Sequence, residues 1–161
     1  PGVVRGVLEL VDFLDMADQT SFSSFDLDRL ALVRTLKPEV DNLSGQFVYK
    51  TGALFNDIPN DFIDQAKKVG ASEVHLRYDT CTVDAIKKIH TANMGSMAWF
   101  RGPIGMKSDC TNKYWDVGNE DSTMYEALLR TGVQQMCINR PDVLIDLRRT
   151  LIAKQLSGRR L

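Results

Sequence analysis

The segment Gly132-Val133-Gln134-Gln135-Met136-Cys137-Ile138-Asn139-Arg140-Pro141-Asp142-Val143-Leu144 sets the reading of the whole chain. Gly132 suits the left-handed end of a preceding helix. Residues 133–138 (Val-Gln-Gln-Met-Cys-Ile) form a run of strand length between Gly132 and Asn139. Asn139 and Arg140 lead to Pro141, and a helix is expected over 142–156. The segment is one strand–turn–helix unit. Upstream, Gly95 opens a strand over 96–100, a loop over 101–119 carries the breakers Gly102, Pro103, Gly105 and Gly118, and a helix spans 120–131. A strand over 73–78 precedes a helix over 82–93, with Val83, Ile86, Ile89 and His90 on one face. A strand at 46–49 is followed by a loop over 50–58 and a helix over 60–69, started at Pro59 and capped by Gly70. A strand over 20–25 leads through Asp26, a capping residue, to a helix over 27–36 that Pro38 stops. The chain opens on a helix over 3–17, with Val4, Val7, Leu8, Val11, Phe13 and Leu14 at helical spacing. The tail 157–161 is expected to fray.

The order is therefore a helix and then five strand–helix units, an α/β class with a parallel sheet. Two architectures fit that order: an open doubly wound sheet, complete with five strands, and part of a (β/α)8 TIM barrel, which needs eight. An opening helix with no strand before it favours the barrel, and so does the lack of a glycine-rich phosphate turn after the first strand.

The chain has 161 residues, 20 Lys+Arg against 21 Asp+Glu, and a net charge of -1. That length fits a single domain over 1–161, the portion of one barrel. The apolar share is 43% and the charged share 25%, which sets aside disordered and low-complexity classes. The balanced charge argues against a nucleic-acid partner, and no apolar run is long enough for a membrane span. Cys81, Cys110 and Cys137 are far apart in sequence, as expected of free thiols in a reducing compartment or organelle interior rather than of a secreted disulfide framework. Only His75 and His90 are available as imidazoles. Pro1 opens the chain without an initiating Met, so the chain reads as processed, trimmed or taken from an internal point.

The segment 132–144 resembles the last strand and turn of the glycerophosphodiester phosphodiesterase family, whose pattern is roughly G-V-D-x-I-I-T-D-R-P-D-x-L. Val74-His75-Leu76, then Val83, His90, Gly95 and Trp99, are similar to the two preceding family strands and the A-H-x-x-G helix between them. Ser24-Phe25-Asp26, with Leu30 and Pro38 downstream, resembles an earlier strand ending in S-F-D. The resemblance runs from about residue 20 to 148. It implies a partial TIM barrel comprising strands four to eight. It also implies lipid metabolism: cleavage of glycerophosphodiesters to glycerol 3-phosphate and an alcohol, with a divalent metal (Mg or Ca). In the family the metal and histidine motifs, H-R-G and E-x-D, lie on strands one to three. No counterpart occurs here, so no catalytic or metal-binding residue is expected in this chain. Asn139 stands where the motif has Asp, Gln134 replaces another Asp, and Phe100-Arg101-Gly102 replaces T-V-N.

On this resemblance Phe25, Tyr49, Trp99 and Asn139 are the candidate pocket residues, the first three read as ending their strands. Each aromatic residue also reads as core packing. His75 shares a strand face with Arg77 and could meet a phosphate, although a bond to a neighbouring strand weighs more. His90 reads as a satisfied core imidazole and Cys81 as a passive thiol. Asp109, Asp116 and Glu120-Asp121 match no calcium-loop spacing and read as solvated charge, with Asp121 or Asn119 as a helix cap. The basic C-terminal residues Arg148, Arg149, Lys154, Arg159 and Arg160 read as a solvated helix end. Five strands of a barrel leave two open edges and are expected to expose an apolar interior. A missing N-terminal segment or a protein partner is therefore expected to cover the gap. The alternative reading is a non-catalytic accessory subunit, a pseudoenzyme within a larger assembly.

Overall fold

The computed structural model describes residues 2–100 and 120–158. Helix α1 (Gly2–Phe13) precedes strand β1 (Ser21–Ser24), and α2 (Leu27–Leu36) follows it. Then come β2 (Lys50–Phe55), α3 (Phe62–Lys68), β3 (Glu73–Arg77), α4 (Val83–Thr91), β4 (Gly95–Trp99), α5 (Ser122–Thr131), β5 (Gln135–Cys137) and α6 (Pro141–Gly158). The sheet order is β1-β2-β3-β4-β5, and every neighbouring pair is parallel. A doubly wound sheet reverses its strand order at a switch point. Here each new strand adds to the same side, as in a barrel, so five strands form a half-barrel with its helices outside.

Helix boundaries follow local chemistry. Asp26 accepts a bond from the Asp28 amide, and Thr82 caps α4 through the Ala85 amide. Asp121 accepts from the Thr123 and Met124 amides at the start of α5. Gly132 ends α5 at φ 83°, a left-handed position that favours glycine.

One face of the sheet is apolar. Ala53, Phe55, Val74, Leu76 and Ala98 pack against Leu30, Phe62, Ile86, Ile89, Tyr125 and Leu128 from the helices. The register places Ser23, Gly52, Glu73 and Gly95 in one row of the opposite face, with Leu54, His75, Met97 and Gln135 in the next. The inner face therefore mixes polar groups with apolar ones, rather than being the wholly apolar interior expected.

Five sequence expectations shift. Helix α1 stops at Phe13, and Asp15 takes φ 53° before the 3-10 turn Ala17–Gln19. Helix α3 is shorter than 60–69 at both ends. The last strand spans only Gln135–Cys137. Ser157 and Gly158 belong to α6 rather than to a frayed tail. The largest shift is that residues 46–49 are not a strand. The Arg34 guanidinium lies 3.3 Å from the centre of the Phe47 ring and donates to Tyr49 O at 3.2 Å, holding this stretch as a loop. The strand is Lys50–Phe55, inside the expected loop. The expected loop 101–119 and residues 159–161 lie outside the described residues.

Leu76 is fully buried beneath the helices. Leu76→Ala is expected to lower unfolding stability by about 2–5 kcal/mol. Leu129→Ala, on an exposed position, is expected to change it by less than about 0.5 kcal/mol. Urea unfolding of both variants checks this.

Candidate functional site

Barrel enzymes place their active-site groups at the C-terminal ends of the strands. At that end Phe25 and Trp99 meet edge to face, with ring centroids 5.3 Å apart. Such a pair contributes about 0.5–1.5 kcal/mol beyond burial. Trp99 is buried, Phe25 is 51% exposed, and the Trp99 indole N–H donates to His75 O at 3.3 Å. Arg77 ends β3 with its side chain 3% exposed. Its Nε donates to Asp79 at 2.5 Å, and a second guanidinium nitrogen lies 3.4 Å from Asp57. Asn139 follows β5 and donates to the buried Glu120 carboxylate at 2.6 Å.

The candidate pocket residues thus divide. Phe25 and Trp99 form one aromatic wall, and Asn139 lies beyond the C-terminal end of β5. Tyr49 does not end a strand: it precedes β2, at the opposite rim of the sheet. There it donates a short hydrogen bond to Asp12, and Lys37 Nζ lies 2.6 Å from the same carboxylate. The Lys37 and Tyr49 bonds hold the Asp12 carboxyl below the usual carboxylate range. This cluster ties α1 to the stretch that leads into β2.

The inner face carries a second set of groups. Glu73 Oε2 lies 2.8 Å from His75 Nε2, and Ser23 Oγ lies 2.9 Å from His75 Nδ1. Gln135 donates to Glu73 Oε1 at 3.1 Å. The hydrogen bond from His75 holds the Glu73 carboxyl below its ordinary value, against the effect of burial. Sequence reading found His75 and Arg77 on this face but missed Ser23, Glu73 and Gln135. The alternation Glu73-x-His75-x-Arg77 was the available signal.

The remaining candidates are structural. His90 Nε2 bonds Ser96 Oγ at 2.9 Å. Burial pushes the Cys81 thiol up to about 12, so it is not a thiolate at neutral pH. Asp121 caps α5, while Asp109, Asp116 and Asn119 lie outside the described residues. A polar hollow of about 450 Å³ opens at the N-terminal ends of β2 to β5, lined in part by Lys50, Glu73 and Gln135. It faces away from the strand ends that carry Phe25 and Trp99, so it is not the candidate site.

The described residues do not fit a divalent metal. No group of three or more His, Cys, Asp or Glu among them is placed to hold one. Asp57 and Asp79 are engaged by Arg77, and Glu73 by His75 and Gln135. Among the described residues, no helix is long and apolar enough to cross a membrane.

No family model matches the sequence, and neither does any curated protein. Solved structures do match. A protein assigned as a glycerophosphodiester phosphodiesterase from Galdieria sulphuraria superposes with a TM-score of 0.71 at 21% identity, over 90% of this chain and 50% of that one. A glycerophosphodiester phosphodiesterase from Parabacteroides distasonis matches with a TM-score of 0.65 at 15% identity, over 94% and 51%. An Oleispira antarctica phosphodiesterase, solved with its product sn-glycerol-3-phosphate, matches with a TM-score of 0.58 at 16% identity, over 80% and 41%. The fold is part of a TIM barrel, similar to about half of the barrel in these structures. This chain spans about half the length of these structures, and the resemblance read from its sequence points to the same family.

Glu73 also gives a pH test. Its folded carboxyl titrates below the unfolded value, so its contribution to stability is present above pH 4.5, the ordinary glutamate value, and is lost as pH falls through the folded value. Thermal melts from pH 6 to pH 3 are expected to show this loss (about one charged hydrogen bond, roughly 1.5–3 kcal/mol) and a shallower decline in Glu73→Gln.

Proposed function

We propose that this chain forms the substrate-side wall of a glycerophosphodiester phosphodiesterase-like barrel whose reactive groups come from outside it. The observation that carries this reading is the Phe25–Trp99 pair at the C-terminal mouth of a half-barrel with that family's fold. Phe25 and Trp99 pack against the apolar carbons of the bound diester, and Asn139 offers an amide to its oxygens. Cleavage of a phosphodiester needs a base for the attacking oxygen and an acid for the leaving alkoxide. Family members supply these and a metal from motifs this sequence lacks. The isolated chain is accordingly inactive on glycerophosphodiesters. The complete barrel, closed by further strands in the same polypeptide or by a partner protein, performs the hydrolysis.

The non-catalytic accessory reading gains support from one feature. The carboxylates near the mouth, Asp57 and Asp79, are on Arg77, which leaves them poorly placed to act on a substrate.

A hydrolysis assay on glycerophosphocholine with added Mg or Ca tests the proposal. The 161 residues alone are expected to give no turnover above buffer. In the complete assembly, Trp99→Ala is expected to lower kcat/KM about 10-fold, about 1.4 kcal/mol of transition-state binding, and Tyr49→Phe to leave it unchanged. Turnover by the isolated chain contradicts the proposal. So does an assembly indifferent to alanine at Phe25, Trp99 and Asn139 together.

A further inference from the structure

Ser23 of β1 meets His75 and Glu73 of β3 on the inner face, across the intervening strand β2. Their arrangement depends on glycine at two places. A Cβ on Gly52 of β2 would lie 2.0 Å from the His75 ring, and one on Gly95 of β4 would lie 2.9 Å from Glu73 Cγ. Any side chain at Gly52 displaces the imidazole from its seat between Ser23 and Glu73.

The protons follow from elementary chemistry. An ionised carboxylate only accepts hydrogen bonds. Glu73 accepts from Gln135 through Oε1, and its Oε2 faces His75 Nε2. The imidazole proton is therefore on Nε2. In the neutral ring Nδ1 then carries the lone pair and accepts the Ser23 hydroxyl proton across 2.9 Å. A serine bonded to an imidazole that a carboxylate orients is the arrangement that activates a nucleophile. His75 is 1% exposed, whereas Ser23 is exposed. The base is sheltered and the hydroxyl is open. Phe25 lies two residues beyond Ser23, just past the end of β1, where it packs against Trp99.

We propose that Ser23, His75 and Glu73 form a nucleophilic relay that acts on small uncharged carboxylic esters. Ser23 Oγ bonds to the ester carbonyl carbon while its proton passes to His75 Nδ1. The resulting imidazolium stays paired with Glu73 through Nε2–H. As the carbon–oxygen bond to the alcohol breaks, His75 returns the proton to the departing alkoxide, leaving an acylated Ser23. Water attacks that ester by the same route, releasing the acid and restoring the hydroxyl. No co-reactant is needed. Two other charged groups occupy this face: Lys50, whose positive charge acts on Glu73, and Arg77, engaged by Asp79 and Asp57.

The full chain is treated with a fluorophosphonate probe, and the labelled residue is located by peptide mass spectrometry. p-Nitrophenyl butyrate is assayed in parallel. The expected result is a single adduct on Ser23, none in Ser23→Ala, and a labelling rate about 100-fold lower in His75→Gln, the scale of a general base. The position of the adduct in the wild-type chain is a readout that does not depend on any variant folding. No adduct overturns the proposal. So does an adduct shared equally with Ser21. Glycerophosphocholine turnover is scored separately, so failure of either reading is visible without the other.

Discussion

A parallel sheet must have both faces covered, and in this chain the two faces are covered differently. The outer face is closed by helices over Val74, Leu76, Ala53 and Ala98. The inner face is organised around His75, which lies over Gly52 and bonds Ser23 and Glu73. Burial of a polar ring is favourable only when its hydrogen bonds are made. Three strands, β1, β2 and β3, must therefore keep their register for this imidazole to stay satisfied. Trp99 is tied to the same point through His75 O, so the aromatic wall at the mouth depends on the network beneath it.

The sheet still ends in two strands, β1 and β5, each with a neighbour on one side only among the described residues. Such edges template further pairing. The inner face carries the polar groups of Ser23, Glu73 and His75 beside the apolar Leu54 and Met97. Lys50, Gln135 and Glu73 line a hollow open to solvent, and Ser23 and Phe25 stand exposed near the mouth. These features suit a surface completed by other strands.

Much of this was legible in the sequence. Asp26 and Gly132 mark helix ends that the structure reproduces, and helix 27–36 matches its range. The barrel side of the choice between two architectures follows from the strand order. The second strand was misread because Lys50-Thr51-Gly52 looks like a loop; glycine weakens a strand on local grounds. Its reason is remote, since it leaves room for a ring twenty-three residues away in the sequence, from Gly52 to His75. Tyr49 was misplaced for the same cause, at the start of a strand instead of its end. The His75 network was only partly legible: alternation puts Glu73 and His75 on one face, but Ser23 reaches His75 only through strand register. Trp99 ends its strand as read from the sequence, and Phe25 falls one residue past the end of β1.

The central claim is that this half-barrel exists in nature with its open side closed. Native mass spectrometry of the protein isolated from its source tests it most directly. The account predicts a species well above 18.1 kDa, as a longer polypeptide or a complex that stays together. A stable, lone species of 18.1 kDa with the inner face open to solvent would contradict it.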